Sequence, residues 1–275
     1  MKKIIVVGIL NITPDSFSDG GLYFNTPQTA IDRVREMLNQ GADVIDIGGE
    51  STRPGSESVT AVEQIRRVIP VIQAIRTQIS SKVPISIDTN NSTVTAAALE
   101  AGATIVNTLG GFTSDIDLAK TVARSGCQCV IYHILGTPKT MQVTVDPTTN
   151  ILNDVSHFFE EQIALGLSAG MKKEQFILDP GIGFGKTLEQ NLHLIKNMAT
   201  LTSFELPLFI GVSRKSHLAT ILQQKLSLKA LPEPNQRLMA ALAETGIAIQ
   251  NGVTWVRTHD VLETKQFISV LEEVM

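Results

Sequence analysis

The stretch Phe176-Ile177-Leu178-Asp179-Pro180-Gly181-Ile182-Gly183-Phe184-Gly185-Lys186 decides how the whole chain is read. It opens with apolar residues at successive positions, the pattern of a strand covered on both faces. It then stops at Asp-Pro-Gly, where Pro and Gly end regular structure, and leaves a carboxylate at the edge of a core. Working outward, the same pattern recurs. Strand-like runs at 4–10, 43–47, 85–89, 104–109, 129–134, 208–212 and 253–258 each end in, or carry near their end, small, charged or amide residues. Helical patterns lie between them. Thr26-Pro27 reads as an N-cap followed by Pro in the first turn, opening a helix that stops at Gly41. Val59, Val62, Ile65, Ile69, Ile72, Ile75 and Ile79 recur at three- and four-residue steps, with Pro70 predicting a kink or break. Further helices are expected at 96–101, 151–167, 188–201 and 238–250. Eight strands each followed by a helix in 275 residues fit an α/β chain of the (β/α)8 TIM barrel class. An open doubly wound sheet is the rival. No linker or composition break divides residues 1–275, so one domain is expected.

Composition narrows the function. There are 23 Lys and Arg against 27 Asp and Glu, a net charge of -4, with no run of five like charges. That disfavours a nucleic-acid binder working through a broad basic face, yet leaves room for a small anionic substrate held by two or three cations. Aromatics are scarce, so aliphatic side chains must fill the core. Cys127 and Cys129 are the only cysteines, too few for a zinc site by themselves, and read as buried thiols of a reducing compartment. The start, Met1-Lys2-Lys3 before an apolar run, lacks a small-residue cleavage site and reads as a first strand rather than a signal peptide. No apolar run approaches membrane-spanning length, and a cytoplasmic protein is expected.

In a barrel, all strand ends meet on one rim, where catalytic residues belong. Asp88 and Asp179 close two apolar runs. Either alone reads as a turn or helix cap; both converging point to a ligand with N–H donors, such as an amino-pyrimidine edge, with Asn107 adding a donor and an acceptor. Arg53, Lys215, Arg257 and His259 are rim cations, each by itself an ordinary surface charge. As a set they suggest an anion site, to which a backbone N–H near Thr52 adds. Asn11 and Asp19 offer oxygen ligands for Mg²⁺ bound to a diphosphate. The glycines of 181–185 lack the Walker ending and the dinucleotide spacing, and read as permitting tight turns and the close approach of a flat ring, with Phe184 covering it. His157, His193 and His217 fall in helical stretches and read as structural or surface residues.

Four motifs, residues 11–21 (NITPDSFSDGG), 49–55 (GESTRPG), 179–186 (DPGIGFGK) and 213–216 (SRKS), resemble the dihydropteroate synthase family of pterin-binding barrels, in order and over nearly the whole chain. The resemblance implies a transferase of folate biosynthesis. Such an enzyme joins p-aminobenzoate to 6-hydroxymethyl-7,8-dihydropterin diphosphate, is a sulfonamide target, and forms a homodimer. It further implies that Asp88, Asn107, Asp179 and Lys215 hold the pterin and that Asn11, Arg257 and His259 serve the diphosphate and magnesium. Phe17, Thr52, Arg53, Pro54, Phe184 and Ser213 would form or border the p-aminobenzoate pocket. Catalysis falls to Asp88, Asp179, Lys215, Arg257 and His259, and the metal to Asn11 and Asp19. The expected mechanism is an SN1-like alkyl transfer. The chain departs from the family pattern at Thr108 (usually Asp), at Tyr132 (usually Met), at Ile134-Leu135, at Thr258 and at Ala240-Ala241; Thr108 and Tyr132 bear on the surroundings of the pterin pocket. The ordinary Thr52-Arg53-Pro54-Gly55 loop implies sulfonamide sensitivity. Two rivals share part of the pattern: a folate methyltransferase, which gives no reason for the 51–55 loop or the Arg257/His259 pair, and a pterin-binding paralogue without catalysis.

Overall fold

In a computed structural model, the described residues are 3–13, 27–51, 55–141 and 145–275. Strands β1 (Ile5–Asn11), β2 (Val44–Gly48), β3 (Ile85–Asp88), β4 (Ile105–Leu109), β5 (Gln128–Tyr132), β6 (Phe176–Asp179), β7 (Leu208–Ile210) and β8 (Val253–Thr258) form a closed barrel in sequence order. Every pairing is parallel, and β8 pairs with β1 to close it. The open doubly wound sheet is thereby excluded. The helices among the described residues are α1 (Pro27–Asn39), α2 (Ala61–Gln78), α3 (Ser92–Ala101), α4 (Ile116–Ser125), α5 (Ile151–Ser168), α6 (Leu188–Lys196), α7 (Ser216–Leu226), α8 (Leu238–Gln250) and α9 (Val261–Val274). The helical stretch expected at 188–201 is in fact two pieces, α6 and a tighter 3₁₀ segment, Met198–Phe204.

Successive strand residues point alternately to the helices and to the barrel axis. Outward residues such as Ile45, Ile47, Ile87, Ile131 and Leu178 join a large core with the helices. Inward residues Val7, Val44, Ile105, Val130, Ile177 and Phe209 form a separate apolar cluster, with Ile5 and Trp255 against it. Two positions further along the same inward faces stand Asp46, Asn107, Tyr132, Asp179 and, beyond Trp255, Arg257. Register brings these side by side: Asp88 pairs with Asn107 across β3 and β4, and Tyr132 with Asp179 across β5 and β6. An apolar plug thus supports a polar layer at the mouth.

Two expectations about α2 are corrected. Pro70 does not break the helix, which runs for 18 residues; Pro70 faces solvent while Val68, Val71, Ile72 and Ile75 anchor the opposite face. Val62, counted in the apolar stripe, is 78% exposed. Its place in the buried face is taken by Gln64, whose amide donates to Glu50 and to the Val59 carbonyl and accepts from the Thr89 hydroxyl. A buried amide satisfied this fully looks polar in a hydropathy pattern yet behaves as core. Of the cysteines, Cys129 is buried and Cys127 partly so; both are free thiols, and burial raises the pKa of each.

Candidate active site

The strand ends enclose a cavity of about 530 Å³, the size of a small-molecule site. Asn11, Asp88, Asn107, Asp179 and Phe184 line it, and so do Ser213, Lys215, Arg257 and His259. The sequence-derived candidates that the structure describes therefore share one chamber. Phe17, Asp19, Thr52, Arg53 and Pro54 lie outside the described residues.

The acidic and basic groups are interleaved, so Arg257, which lines the cavity, also serves two carboxylates. Arg257 Nε donates to Asp46 Oδ2 at 2.6 Å and Nη2 to Asp88 Oδ2 at 3.1 Å. Two carboxylates thus share one guanidinium, and they hold it charged: burial lowers its pKa, but Asp46 and Asp88 together raise it further. Among the described residues Nη1 has no hydrogen-bond partner. Asp46 is fully buried and also accepts from Asn107 Nδ2 at 3.3 Å. It was missed at the sequence level, although a carboxylate within Val44-Ile45-Asp46-Ile47 is itself a signal, because an acid inside an apolar strand needs a partner.

Asp88 does not cap the helix that follows it. Asn91 does so, accepting from Thr93 N and Val94 N. Burial and then the Asp46 carboxylate raise Asp88 to about 7, against Arg257 and the Tyr132 hydroxyl. Asp179 combines two tasks. Its Oδ1 accepts from Gly181 N at 2.7 Å, forming the turn, while its carboxylate lines the cavity. Burial raises its pKa, and Lys215 opposes. Lys215, lowered to about 8 by burial, donates to the Ile182 carbonyl and sits 4.3 Å over the Phe184 ring. One face of that ring is therefore occupied. Ser213 Oγ meets His259 Nδ1 at 3.0 Å and accepts from His259 N at 3.2 Å, tying the loop after β7 to the end of β8.

The glycines of 181–185 make the expected tight turns, with positive φ at Gly181, Gly183 and Gly185. A Cβ at Gly181, where φ is +66°, would fall 1.7 Å from the His133 carbonyl oxygen, and one at Gly185 would fall 2.4 Å from that of Leu135. At these two positions the backbone after β5 approaches closely, while Gly183 lines the cavity. Lys186 locks this contact. Its buried ammonium donates to Gly181 O at 2.8 Å and Phe184 O at 3.1 Å and meets His133 Nδ1 at 2.9 Å. His133 Nε2 lies 3.0 Å from Asp154. Burial lowers Lys186 to about 7, and burial with Lys186 lowers His133 to about 4, so His133 is neutral at pH 7. A neutral ring accepting at Nδ1 donates from Nε2 to Asp154.

The two family departures differ in consequence. Thr108 is buried but absent from the cavity lining; its hydroxyl faces Gly111 O and Asn90. Tyr132 does line the cavity, donates to Asp88 Oδ1 at 3.2 Å, and packs on Phe184 with ring centroids 5.3 Å apart. His217 is a buried partner of Glu244 at 2.8 Å, and His157 is exposed beside Glu160 and Glu161.

Paired carboxylates with an amide at the floor, and a cation against an aromatic wall, suit a flat heterocycle rich in N–H groups. The pterin-binding enzyme family model matches residues 7–259, so fold and site define a pterin-binding barrel enzyme. The chain is 42% identical over 271 residues to the dihydropteroate synthase of a Synechocystis strain, covering 98% of this chain and 90% of that one. A crystal structure of Yersinia pestis dihydropteroate synthase with a sulfonamide drug superposes with a TM-score of 0.89 at 37% identity, covering 99% of this chain and 94% of that one. The Clostridium difficile dihydropteroate synthase in the presence of pteroic acid gives 0.88 at 38%, covering 99% and 97%. The chain belongs to the dihydropteroate synthase family, whose members are transferases.

Proposed function

We propose that this chain condenses 6-hydroxymethyl-7,8-dihydropterin diphosphate with p-aminobenzoate, giving 7,8-dihydropteroate and diphosphate. The observation that carries this reading is one chamber lined by Asp88, Asn107 and Asp179 together with Lys215, Arg257 and His259. The carboxylates accept from the pterin N–H groups. The C–O bond to diphosphate breaks first, the electron pair leaving with the diphosphate. The methylene cation delocalises into the electron-rich ring, and Asp88 and Asp179 offset its charge. Arg257, through Nη1, and His259 face the departing oxygens. The arylamine, neutral at pH 7, then forms the C–N bond and releases its proton. Phe184 and Ser213 border the second substrate, and Phe17, Thr52, Arg53 and Pro54 belong to that border by family resemblance. The same border would accept sulfonamides.

Magnesium is part of the proposal. Mg²⁺ keeps several waters and takes one or two protein oxygens beside phosphate oxygens. Asn11 fits this role: it ends β1 at the mouth with its amide oxygen toward the end of β2, 3.6 Å from where a Gly48 Cβ would be. Asp19 is the second candidate. Among the described residues no group of three His, Cys, Asp or Glu is placed to hold a metal. When bound, the ion supplies positive charge to the leaving group. A cytoplasmic homodimer completes the reading. No helix among the described residues is long and apolar enough to cross a membrane, and α8 exposes Met239 and Ile247.

The test is diphosphate release with both substrates, with and without magnesium. Release and dihydropteroate formation are expected, abolished by chelator and restored by Mg²⁺. Binding of the pterin without release would favour the non-catalytic paralogue, and full activity in excess chelator would remove the metal.

A further inference from the structure

The mechanism above leaves the phenol of Tyr132 without a task. Tyr132 closes β5, is buried, and lines the cavity beside the acidic floor. Its hydroxyl donates to Asp88 Oδ1 at 3.2 Å, while the other oxygen, Oδ2, accepts from Arg257 Nη2 at 3.1 Å. The guanidinium is not devoted to Asp88. Its shorter bond, 2.6 Å from Nε, goes to Asp46. Asp88 therefore receives only part of one cation and faces a second carboxylate across it.

The groups that face Asp88 from each neighbouring element can be named. Asp46 on β2 and Glu50 just beyond it are acidic and disfavour the ionised form. Asn107 on β4 lies beside it in register and is neutral. Arg257 on β8 and the Tyr132 hydroxyl on β5 favour ionisation. Asp179 on β6 acts on Tyr132 rather than directly. With the acids and the cation opposed, a neutral O–H donor has unusual leverage. It bonds a carboxylate more strongly than a carboxylic acid, since charge-assisted hydrogen bonds are the stronger kind.

We propose that Tyr132 is a positioning residue that biases Asp88 toward its ionised form, so that an incoming pterin N–H more often meets an acceptor than a carboxylic acid. This inference rests on the pterin reading of the cavity.

The test uses the full chain without substrate. Protein labelled with ¹³C at the aspartate carboxyls is titrated by NMR, and Asp88 is assigned by the resonance lost in Asp88→Asn. Burial and Asp46 place the wild-type midpoint at about 7. Tyr132→Phe keeps the ring on Phe184 and removes only the donor. Its Asp88 midpoint should rise by about half a pH unit or more, since a hydrogen bond to a charged group is worth roughly that or more. Protein made with 3-fluorotyrosine, which replaces both Tyr23 and Tyr132, carries a more acidic phenol, and its midpoint should fall. The acid limb of the kcat/KM profile should move with the midpoint in each case. A merely structural tyrosine would leave all three midpoints together, and that result overturns the proposal. Should Tyr132→Phe fail to fold, the fluorotyrosine titration decides by itself. Because the titration needs no turnover, an inactive protein would sink the pterin reading while leaving the Tyr132–Asp88 coupling measurable. An active enzyme with an unmoved midpoint would sink this inference alone.

Discussion

Two layers of side chains fill the inside of one barrel, two residues apart along the same strands, and they are opposite in kind. The lower layer is Val7, Val44, Ile105, Val130, Ile177 and Phe209. The upper layer holds Asp46, Asn107, Tyr132, Asp179 and Arg257, together with Asp88. The lower layer stabilises the fold through apolar burial, which is non-directional and depends mainly on volume. The upper layer is a liability for folding, because each buried charge must be offset by a partner. Asp46 and Asp88 are held by Arg257, Asp179 by Gly181 N with Lys215 nearby, and Asp88 also by Tyr132. The difference teaches that the mouth is arranged for a ligand and tolerated by the fold because the plug beneath it is apolar and buried.

Three substitutions test that contrast. The largest effect is expected for Arg257→Met, which leaves Asp46 and Asp88 buried without their cation. Stability in urea at pH 7 should fall by about 3–5 kcal/mol; a loss below about 1 kcal/mol would mean that the carboxylates do not depend on the guanidinium. Asp179→Asn keeps the shape and removes the charge. Its kcat/KM should fall about 100-fold or more with the urea midpoint little changed, whereas near-normal turnover would take Asp179 out of the pterin role. The smallest effect is expected two residues earlier on the same strand. Ile177→Val removes one methylene from the plug and should cost about 1 kcal/mol of stability while kcat/KM stays within about twofold, as its distance from the ligand layer requires. If instead Ile177→Val altered turnover and spared stability, the division between the layers would fail.

Much of the fold was legible because burial leaves a direct trace in composition. Each strand of a parallel barrel is covered on both faces, so runs such as Phe176-Ile177-Leu178 read apolar throughout, and Asp179 follows where the strand reaches the mouth. That rule located Asp88, Asn107, Asp179, Lys215, Arg257 and His259 without coordinates. It misjudged positions whose meaning depends on a partner. Gln64 looked too polar for the core and Val62 apolar enough for it, since hydropathy does not report whether an amide is satisfied. Asp46 passed as an ordinary strand residue, although Arg257 Nε donates to it across the barrel at 2.6 Å and makes it half of a shared ion pair. The glycines of 181–185 read as turns and as room for a flat ring; at Gly181 and Gly185 the carbonyls of His133 and Leu135 fill the nearby space, and Gly183 lines the cavity.

The sequence by itself determined the repeating strand–helix order, the apolar lining of the barrel and the residue types available at its mouth, because these follow from local periodicity and burial. Which of those residues meet was decided only by closure of the barrel. Arg257 and Asp46 are 211 positions apart in the chain and 2.6 Å apart in space, and neither residue carries a local mark of the other. Protonation is decided at the same level: whether Asp88 offers an acceptor depends on Asp46, Arg257 and Tyr132 arriving from three other strands.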